Sequence, residues 1–366
     1  MRVAIFHDYI GAIGGAEKLI LGLARELDAD VITTEVNWDS ISKLGFEDVH
    51  IISLGNVLKT APFKQIHASL KFSLCRFQDY DFYIFSGNWA QYAAAKHKPN
   101  MWYCHTPVRA FYDLKDYTLK NQEKEIYRLI ARIWICGHSY FDKRSLRHIC
   151  RIVTNSENSR RRIARYYGRD APVIYPPIPT EKFRCGDEGS YWLSVNRLYP
   201  EKRVLLQIAA FERMTEEKLK IAGWHSDDGR AKIRLNIPSK LPENVELLKS
   251  VSDEELVELY ANCKGLICTA MDEDFGMTPL EAMASGKPVV SVKEGGYLES
   301  MVDGVTGRLV DPTVEDIVDA VRSISKDGSG KYRDACMERA KHFDEKIFFK
   351  KVKAEIQDTL LRYSPH

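Results

Sequence analysis

No stretch of the 366-residue sequence approaches the ~20 consecutive apolar residues that a membrane-spanning helix requires. This argues against an integral membrane protein. The first residues, "MRVAIFHDYIGAIGG", carry one basic residue and a short strand-like run, without the long apolar region and small-residue cleavage site of a signal peptide. Eight cysteines, at 75, 104, 136, 150, 185, 263, 268 and 336, form no CxxC pair and no Cys/His cluster of structural-zinc spacing. Unpatterned cysteines in a long chain point to a reducing, cytoplasmic setting rather than a disulfide framework. The GxGxxG fingerprint is missing, which disfavours a dehydrogenase. There is also no low-complexity tract and no repeat of solenoid period.

What is present is ordinary for a water-soluble globular chain: 45% hydrophobic and 28% charged residues. The length suits two domains, each able to bury its own core. The formal charge of +2 hides an asymmetry. Residues 1–180 hold 25 Lys and Arg against 18 Asp and Glu, a net of +7, and the remainder holds 28 against 33, a net of −5. A basic half implies an anionic partner, a membrane surface or a phosphorylated substrate. Nucleic acid is disfavoured, since the whole chain is near neutral and carries no recognised nucleic-acid motif.

Along the chain, "RVAIFHD" is followed by glycines and the helical pattern "AEKLILGLAREL", the opening unit of a Rossmann-like sheet. "ADVITTE", "DFYIFSG", "MWYCHTP" and "RIVTNS" read as further strands between helix-compatible segments, which favours a parallel α/β sheet. "APVIYPPIPTEKFRCGDEGS" breaks the rhythm with four prolines and two glycines, so a domain boundary is expected near 178–189. The alternation then restarts. "YWLSVNRL", "KLKIAGW", "KGLICTA" and "KPVVSVK" read as strands, with helices over "KRVLLQIAAFERM" and over "SDEELVELYANC", the latter opened by a Ser252/Glu255 capping box. "EKIFFKKVKAEIQDTLLRY" is a strong amphipathic helix. The expected fold class is therefore α/β, with two Rossmann-like domains facing a cleft where the carboxyl ends of the strands gather ligand.

Chemistry-bearing residues fall at those strand ends. Gly11, Gly14 and Gly15 precede a helix, where glycine lets backbone approach an anion, although a turn needing positive φ would also explain them. His105 follows a predicted strand, with Arg109 and Asp113 close behind, candidates for the acceptor side. Arg197 ends a strand and Lys202 stands at the next helix start, a place where the helix dipole does not call for a cation. A diphosphate between them would. In "EDFGMTPLEAMASGKP", Glu273 precedes Glu281 by eight residues, with Phe275-Gly276 between. Thr278-Pro279-Leu280-Glu281 reads locally as a capping box, with threonine as N-cap, which would explain Glu281 without a ligand.

Together these residues resemble the family-4 retaining glycosyltransferases of the GT-B fold. The marks are "GGAEK", "HTP", "TNSENSRRRIARYYG", "NRLYPEKR", the Glu273/Glu281 spacing and "EGGYLESMVDGVTGRLV", covering nearly the whole chain. "EDFGMTPLEAMASGKPVV" and "YCHTPVRAFYD" look most like the branch that uses GDP-mannose. The resemblance implies domains over 1–180 and 181–345, with a helix over 346–366 returning to the first. It implies that Arg197 and Lys202 hold the donor diphosphate, and that Glu273 and the amides around Phe275, Gly276 and Met277 hold hydroxyls of the transferred sugar. Glu281 would accept the ribose hydroxyls, and Gly14, Gly15, Asn196, Gly223 and Thr278 would complete the donor site. His105 would line the sugar and acceptor site. Two departures stand beside the phosphate site: Asn196 replaces a usual glycine, and Arg203 stands where glycine is common.

The implied reaction moves a hexose to an acceptor hydroxyl with retention of configuration. A double-displacement site needs two carboxyls about 5 Å apart, and no second carboxylate occupies a recognised position, so a front-face displacement is expected. Arg197 and Lys202 supply the positive charge, and no metal is expected. A glycosyltransferase with a UDP-sugar donor, a nucleotide-sugar epimerase and a non-catalytic nucleotide-sugar-binding module remain as alternatives. Residues 57–77 carry Lys59, Lys64, Lys71 and Arg76 with no acid, interleaved with Phe63, Ile66, Leu70, Phe72 and Leu74. Residues 143–169 hold nine Lys and Arg against the single Glu157. These runs read either as solvated helix faces or as peripheral contact with an anionic membrane.

Overall fold

Short apolar runs become the inner strands of two parallel six-stranded sheets, one in each of two compact units. The computed structural model describes every residue except 12–13, 123, 188, 225–236, 239, 249–250 and 364–366. Unit 1 comprises residues 1–175 and 349–366, and unit 2 residues 176–348. In unit 1 the strands are β1 (Val3–His7), β2 (Asp30–Thr33), β3 (Ile51–Ser53), β4 (Phe82–Ser86), β5 (Asn100–Cys104) and β6 (Arg151–Thr154), in spatial order β3-β2-β1-β4-β5-β6. Their helices are α1 (Gly15–Leu27), α2 (Trp38–Lys43), α3 (Phe63–Leu74), α4 (Lys115–Lys120), α5 (Glu125–Ser145) and α6 (Glu157–Tyr167).

Unit 2 repeats the plan. Strands β7 (Trp192–Arg197), β8 (Leu219–Trp224), β9 (Val245–Leu248), β10 (Gly265–Cys268), β11 (Val289–Val292) and β12 (Gly307–Val310) run in the order β12-β11-β10-β7-β8-β9. The helices are α7 (Val204–Glu212), α8 (Asp253–Ala261), α9 (Thr278–Ala284), α10 (Tyr297–Ser300), α11 (Val314–Asp327), α12 (Arg333–Lys341) and α13 (Glu345–Tyr363). Read from each unit's first strand, both sheets have the order 3-2-1-4-5-6 of doubly wound Rossmann folds, whose ligands gather where the order reverses. That switch point lies between β1 and β4 in unit 1 and between β7 and β10 in unit 2.

β1, β4, β5, β10 and β11 are buried along their whole length, because parallel strands are covered on both faces and select continuous apolar runs. Phe6 of β1 illustrates the packing: its ring lies 5.5 Å from Phe85 and 4.8 Å from His97, both in the same core. β3, β9 and β12 were not expected from the sequence. All three are edge strands of three or four residues with exposed positions, so they lack that pattern.

Helix α8 opens with the expected capping box: Ser252 Oγ accepts the Glu255 amide at 3.1 Å, and Glu255 returns to the Ser252 amide at 2.7 Å. The capping box expected at Thr278 is not formed. Met277 holds the N-cap position without a side-chain cap, Thr278 is already helical, and its hydroxyl lies 3.8 Å from Cys268 Sγ. In α13, Phe348, Val352, Ile356 and Thr359 are buried at helical spacing. The helix begins in unit 2, and its larger part belongs to unit 1, where Glu355 pairs with Arg151 and Lys353 with Glu26.

Candidate active site

In unit 2 the site grows from the carboxyl end of β7. Half-buried Arg197 closes the strand, a 3₁₀ turn spans Pro200–Lys202, and α7 begins at Val204. Two bonds across the switch point fix this turn to the segment after β10. The buried Thr269 hydroxyl donates to the Lys202 carbonyl at 2.8 Å, and the Met271 amide to the Glu201 carbonyl at 2.8 Å. The turn therefore delivers Lys202 Nζ to the Glu273 carboxylate, with which it forms an ion pair. Burial opposes charge on Lys202, but Glu273, helped by Asp274 and Glu201, outweighs it and holds the ammonium above its ordinary pKa.

Around Glu273 the backbone is tightly constrained. Gly296 donates its amide to the Glu273 carbonyl at 2.8 Å, and a Cβ on Gly295 would stand 2.4 Å from that same oxygen. Gly276 has φ +83°, and a Cβ there would meet the buried Tyr297 ring at 2.6 Å, so glycine is required on both counts. Phe275 is core, its ring 5.6 Å from Phe343. Met277 and Thr278 start α9, whose Glu281 accepts the hydroxyl of buried Tyr260 at 2.7 Å.

The two departures acquire physical meanings. Arg203 occupies the left-handed region, φ +50°, where glycine is the unstrained residue. Its guanidinium pairs with Glu294 at 2.9 Å, and Glu294 accepts the Asp272 amide at 3.1 Å. Asp272 is itself left-handed, φ +47°. Asn196 turns to Ser194 Oγ, 2.6 Å away on the same strand. Gly223 lies opposite Asn196 in register on β8, and a Cβ there would clash with Leu198 at 2.6 Å.

In unit 1, His7 and Ser86 are register partners at the ends of β1 and β4. His105, just past β5, sets Nε2 3.0 Å from Ser86 Oγ, and its carbonyl accepts Ser159 Oγ at 2.7 Å. Burial lowers the His105 pKa to about 4, and burial with the neighbouring His105 lowers that of His7 to about 3. Both rings are neutral at pH 7, so they offer hydrogen bonds rather than charge. Asp8 accepts the amides of Asn88, Trp89 and Ala90 at 2.7, 2.8 and 2.8 Å, and a Cβ on Gly87 (φ +96°) would lie 2.4 Å from its carboxyl carbon. Arg109 and Asp113 pair at 2.8 Å, and the buried Arg162 donates to Thr106 at 3.0 Å. Gly14 is the N-cap of α1 and Gly15 its first residue.

The structure thus gathers Arg197, Lys202, Glu273, Gly276, Met277, Thr278 and Glu281 around the carboxyl ends of β7 and β10, and gathers His105, Arg109 and Asp113 in unit 1. Sequence reasoning missed His7, Asp8, Ser86, Arg162, Tyr260 and Glu294. Arg162 sits inside the quoted "SRRRIARYYG" but carried no individual signal. Among the described residues, no group of three His, Cys, Asp or Glu side chains is arranged to hold a metal ion.

The duplicated Rossmann-like fold is that of the GT-B class, and two family matches make the chain a glycosyltransferase. Residues 13–182 match the family described as Glycosyltransferase Family 4, and residues 181–343 that described as Glycosyl transferases group 1. The chain belongs to the family-4 glycosyltransferases of the GT-B fold. It is 27% identical over 391 residues to the alpha-1,3/1,6-mannosyltransferase ALG2 of Dictyostelium discoideum, covering 89% of this chain and 90% of that protein. It is also 27% identical to the D-inositol 3-phosphate glycosyltransferase of Mycobacterium sp. (strain JLS), but over 53% of this chain and 48% of that one. Among solved structures, Anabaena HepE in complex with UDP-glucose superposes with a TM-score of 0.76 at 17% identity, covering 97% of this chain and 99% of that chain. Sucrose-phosphate synthase from Thermosynechococcus elongatus gives 0.74 at 15% identity, covering 99% and 100%.

Proposed function

We propose that this enzyme transfers mannose from GDP-mannose, with retention, to a hydroxyl of a glycan or lipid-linked acceptor. The observation that carries the chemistry is the Lys202–Glu273 pair at the unit 2 switch point, on the turn that follows Arg197 at the end of β7. A cation and a carboxylate in contact match the two halves of a nucleotide-sugar donor. Lys202, with Arg197, takes the diphosphate and stabilises it as it leaves, while Glu273 accepts hydroxyl protons of the sugar and orients the reacting carbon. Glu281 takes the ribose. The mannosyltransferase relative, matched over nine-tenths of its length, supports mannose. A UDP-sugar is the second reading, supported by the UDP-glucose complex of the similarly folded HepE.

The diphosphate charge is met by side chains, and no metal takes part. His105, neutral and bonded to Ser86, receives the acceptor side as a hydrogen-bonding group, with Arg109 and Asp113 nearby. The acceptor is reached by peripheral contact with an anionic membrane. No described helix is long and apolar enough to cross one. Purified protein incubated with GDP-mannose, UDP-glucose and UDP-N-acetylglucosamine, with nucleotide release followed with and without chelator, tests this reading. GDP release from GDP-mannose, unchanged by chelator, is expected. Turnover of a UDP-sugar alone would overturn the donor assignment, and loss of turnover with chelator the metal-free account.

A further inference from the structure

Two helices of unit 1 wear their apolar rows on the outside. On α3, Phe63, Ile66, Leu70 and Leu74 recur at i, i+3, i+7 and i+11, and all four are exposed, Leu74 at 72%. On α5, Ile126, Leu129, Ile133 and Tyr140 fall at i, i+3, i+7 and i+14, again on one face, and are likewise exposed, Ile133 at 65%. The two helices are joined by a hydrogen bond between buried Ser69 and His138, 3.1 Å apart. Apolar rows at this period normally face a core. Here Ala68 and Phe72 of α3 and Ile135 of α5 already fill that role.

The exposed charge on these helices is mostly positive. Residues 57–78 contain no acid, and the acids of α5 are Glu125, paired with Arg128, and the buried Asp142. Exposed cations on or beside the rows are Lys59, Arg76, Arg132, Lys143 and Arg144. Lys64 and Lys71 are committed within the unit, to Glu35 at 2.8 Å and to the Leu54 carbonyl at 2.6 Å. A second copy of the chain would bring the same cations face to face, and that repulsion disfavours self-association. A bilayer with anionic headgroups satisfies both features, taking the apolar rows at its boundary and the cations at its surface.

We infer that the outward faces of α3 and α5 together form the docking surface of this enzyme on an anionic membrane. The inference rests on the peripheral-contact reading above and assigns it to these two helices. The test is cosedimentation with vesicles of mixed phosphatidylglycerol and phosphatidylcholine, and with pure phosphatidylcholine vesicles. The native protein should bind the mixed vesicles at low salt and lose binding as salt rises. Each of Arg132→Gln, Lys143→Gln and Arg144→Gln should weaken binding about fivefold. Leu70→Glu combined with Ile133→Glu should weaken it about tenfold or more. Circular dichroism and vesicle-free nucleotide release should be unchanged in every variant, since all these positions are exposed. Binding that survives the paired glutamate substitutions would overturn the inference while leaving peripheral contact standing. Failure to bind anionic vesicles at low salt would overturn both and leave nucleotide-sugar turnover untouched. A native dimer that the paired substitutions dissociate would assign the face to a second copy instead.

Discussion

Replacing Glu273 by Gln should make two properties of the enzyme move in opposite directions. Lys202 Nζ is occupied by Glu273, so a diphosphate that binds Lys202 has to displace that carboxylate. The two side chains are 25% and 21% exposed, neither solvated nor fully desolvated. A pair in that range is worth about 1 kcal/mol, and removing the competing charge should tighten a nucleoside diphosphate by about fivefold, as 1.4 kcal/mol is tenfold. Turnover should fall by about 10²–10³, because a neutral amide holds the sugar hydroxyls that orient the reacting carbon more weakly than a carboxylate does. Calorimetric titration with GDP and UDP measures the first effect, and nucleotide release from the full donor the second. Lys202→Met should lower both affinity and turnover, since it removes the phosphate ligand itself. Glu273→Gln protein that binds nucleoside diphosphate more weakly while turning over normally would refute the exchange.

Arg203→Gly and Arg203→Ala should separate backbone strain from the ion pair. Both lose the contact with Glu294, but glycine also relieves the left-handed conformation, so it should be the more stable by about 1 kcal/mol, a melting difference of about 2–4 °C; equal melting temperatures would contradict the strain. The buried Asp142 has its pKa raised to about 6 by burial, despite hydrogen bonds from Tyr112 and Tyr167 at 2.8 and 2.9 Å. The fold thus binds a proton there that the unfolded chain releases near its ordinary value, 3.8, so this residue lowers stability as pH rises from about 4 to 6. Asp8, raised to about 6, acts the same way, while His7, His105 and His138, lowered to about 3, 4 and 4, act oppositely up to pH 6.5. Asp142→Asn should therefore steepen the rise of melting temperature between pH 4 and 6, and a profile parallel to that of the native protein would sink this assignment.

The central strands were legible because burial on both faces writes itself into consecutive residues, as in "VAIFH" and "VVSV". Edge strands obey no such constraint. β3 is three residues long and contains the exposed Ser53, and β9 exposes two of its four residues, so each looks like loop in one dimension. Capping was legible at Ser252, where the motif and the helix start agree. It failed at Thr278, because Thr-Pro-x-Glu also fits a helix that starts one residue earlier. There Glu281 reaches sideways to Tyr260, a partner on another helix that no local pattern announces.

The candidate site was legible in part, through residue type and position along the chain. Arg197 and His105 were nominated by their places at strand ends, Lys202 by its place at a helix start, and Glu273 by its spacing to Glu281. What stayed hidden were pairings made by the fold, His105 with Ser86 and Arg203 with Glu294. Arg203 is the instructive residue. On paper it adds a third cation to a phosphate site, beside Arg197 and Lys202. In the fold the neighbouring cations go to different carboxylates: Lys202 to Glu273, and Arg203 to Glu294, which holds the Asp272 amide one residue before Glu273. The substitution for glycine thus adds a brace on the loop that presents Glu273, at a cost in backbone strain of about 1 kcal/mol. A charge count along the sequence could not tell a ligand from a brace, because that difference lies in the left-handed φ of Arg203 and in a carboxylate 91 residues away along the chain.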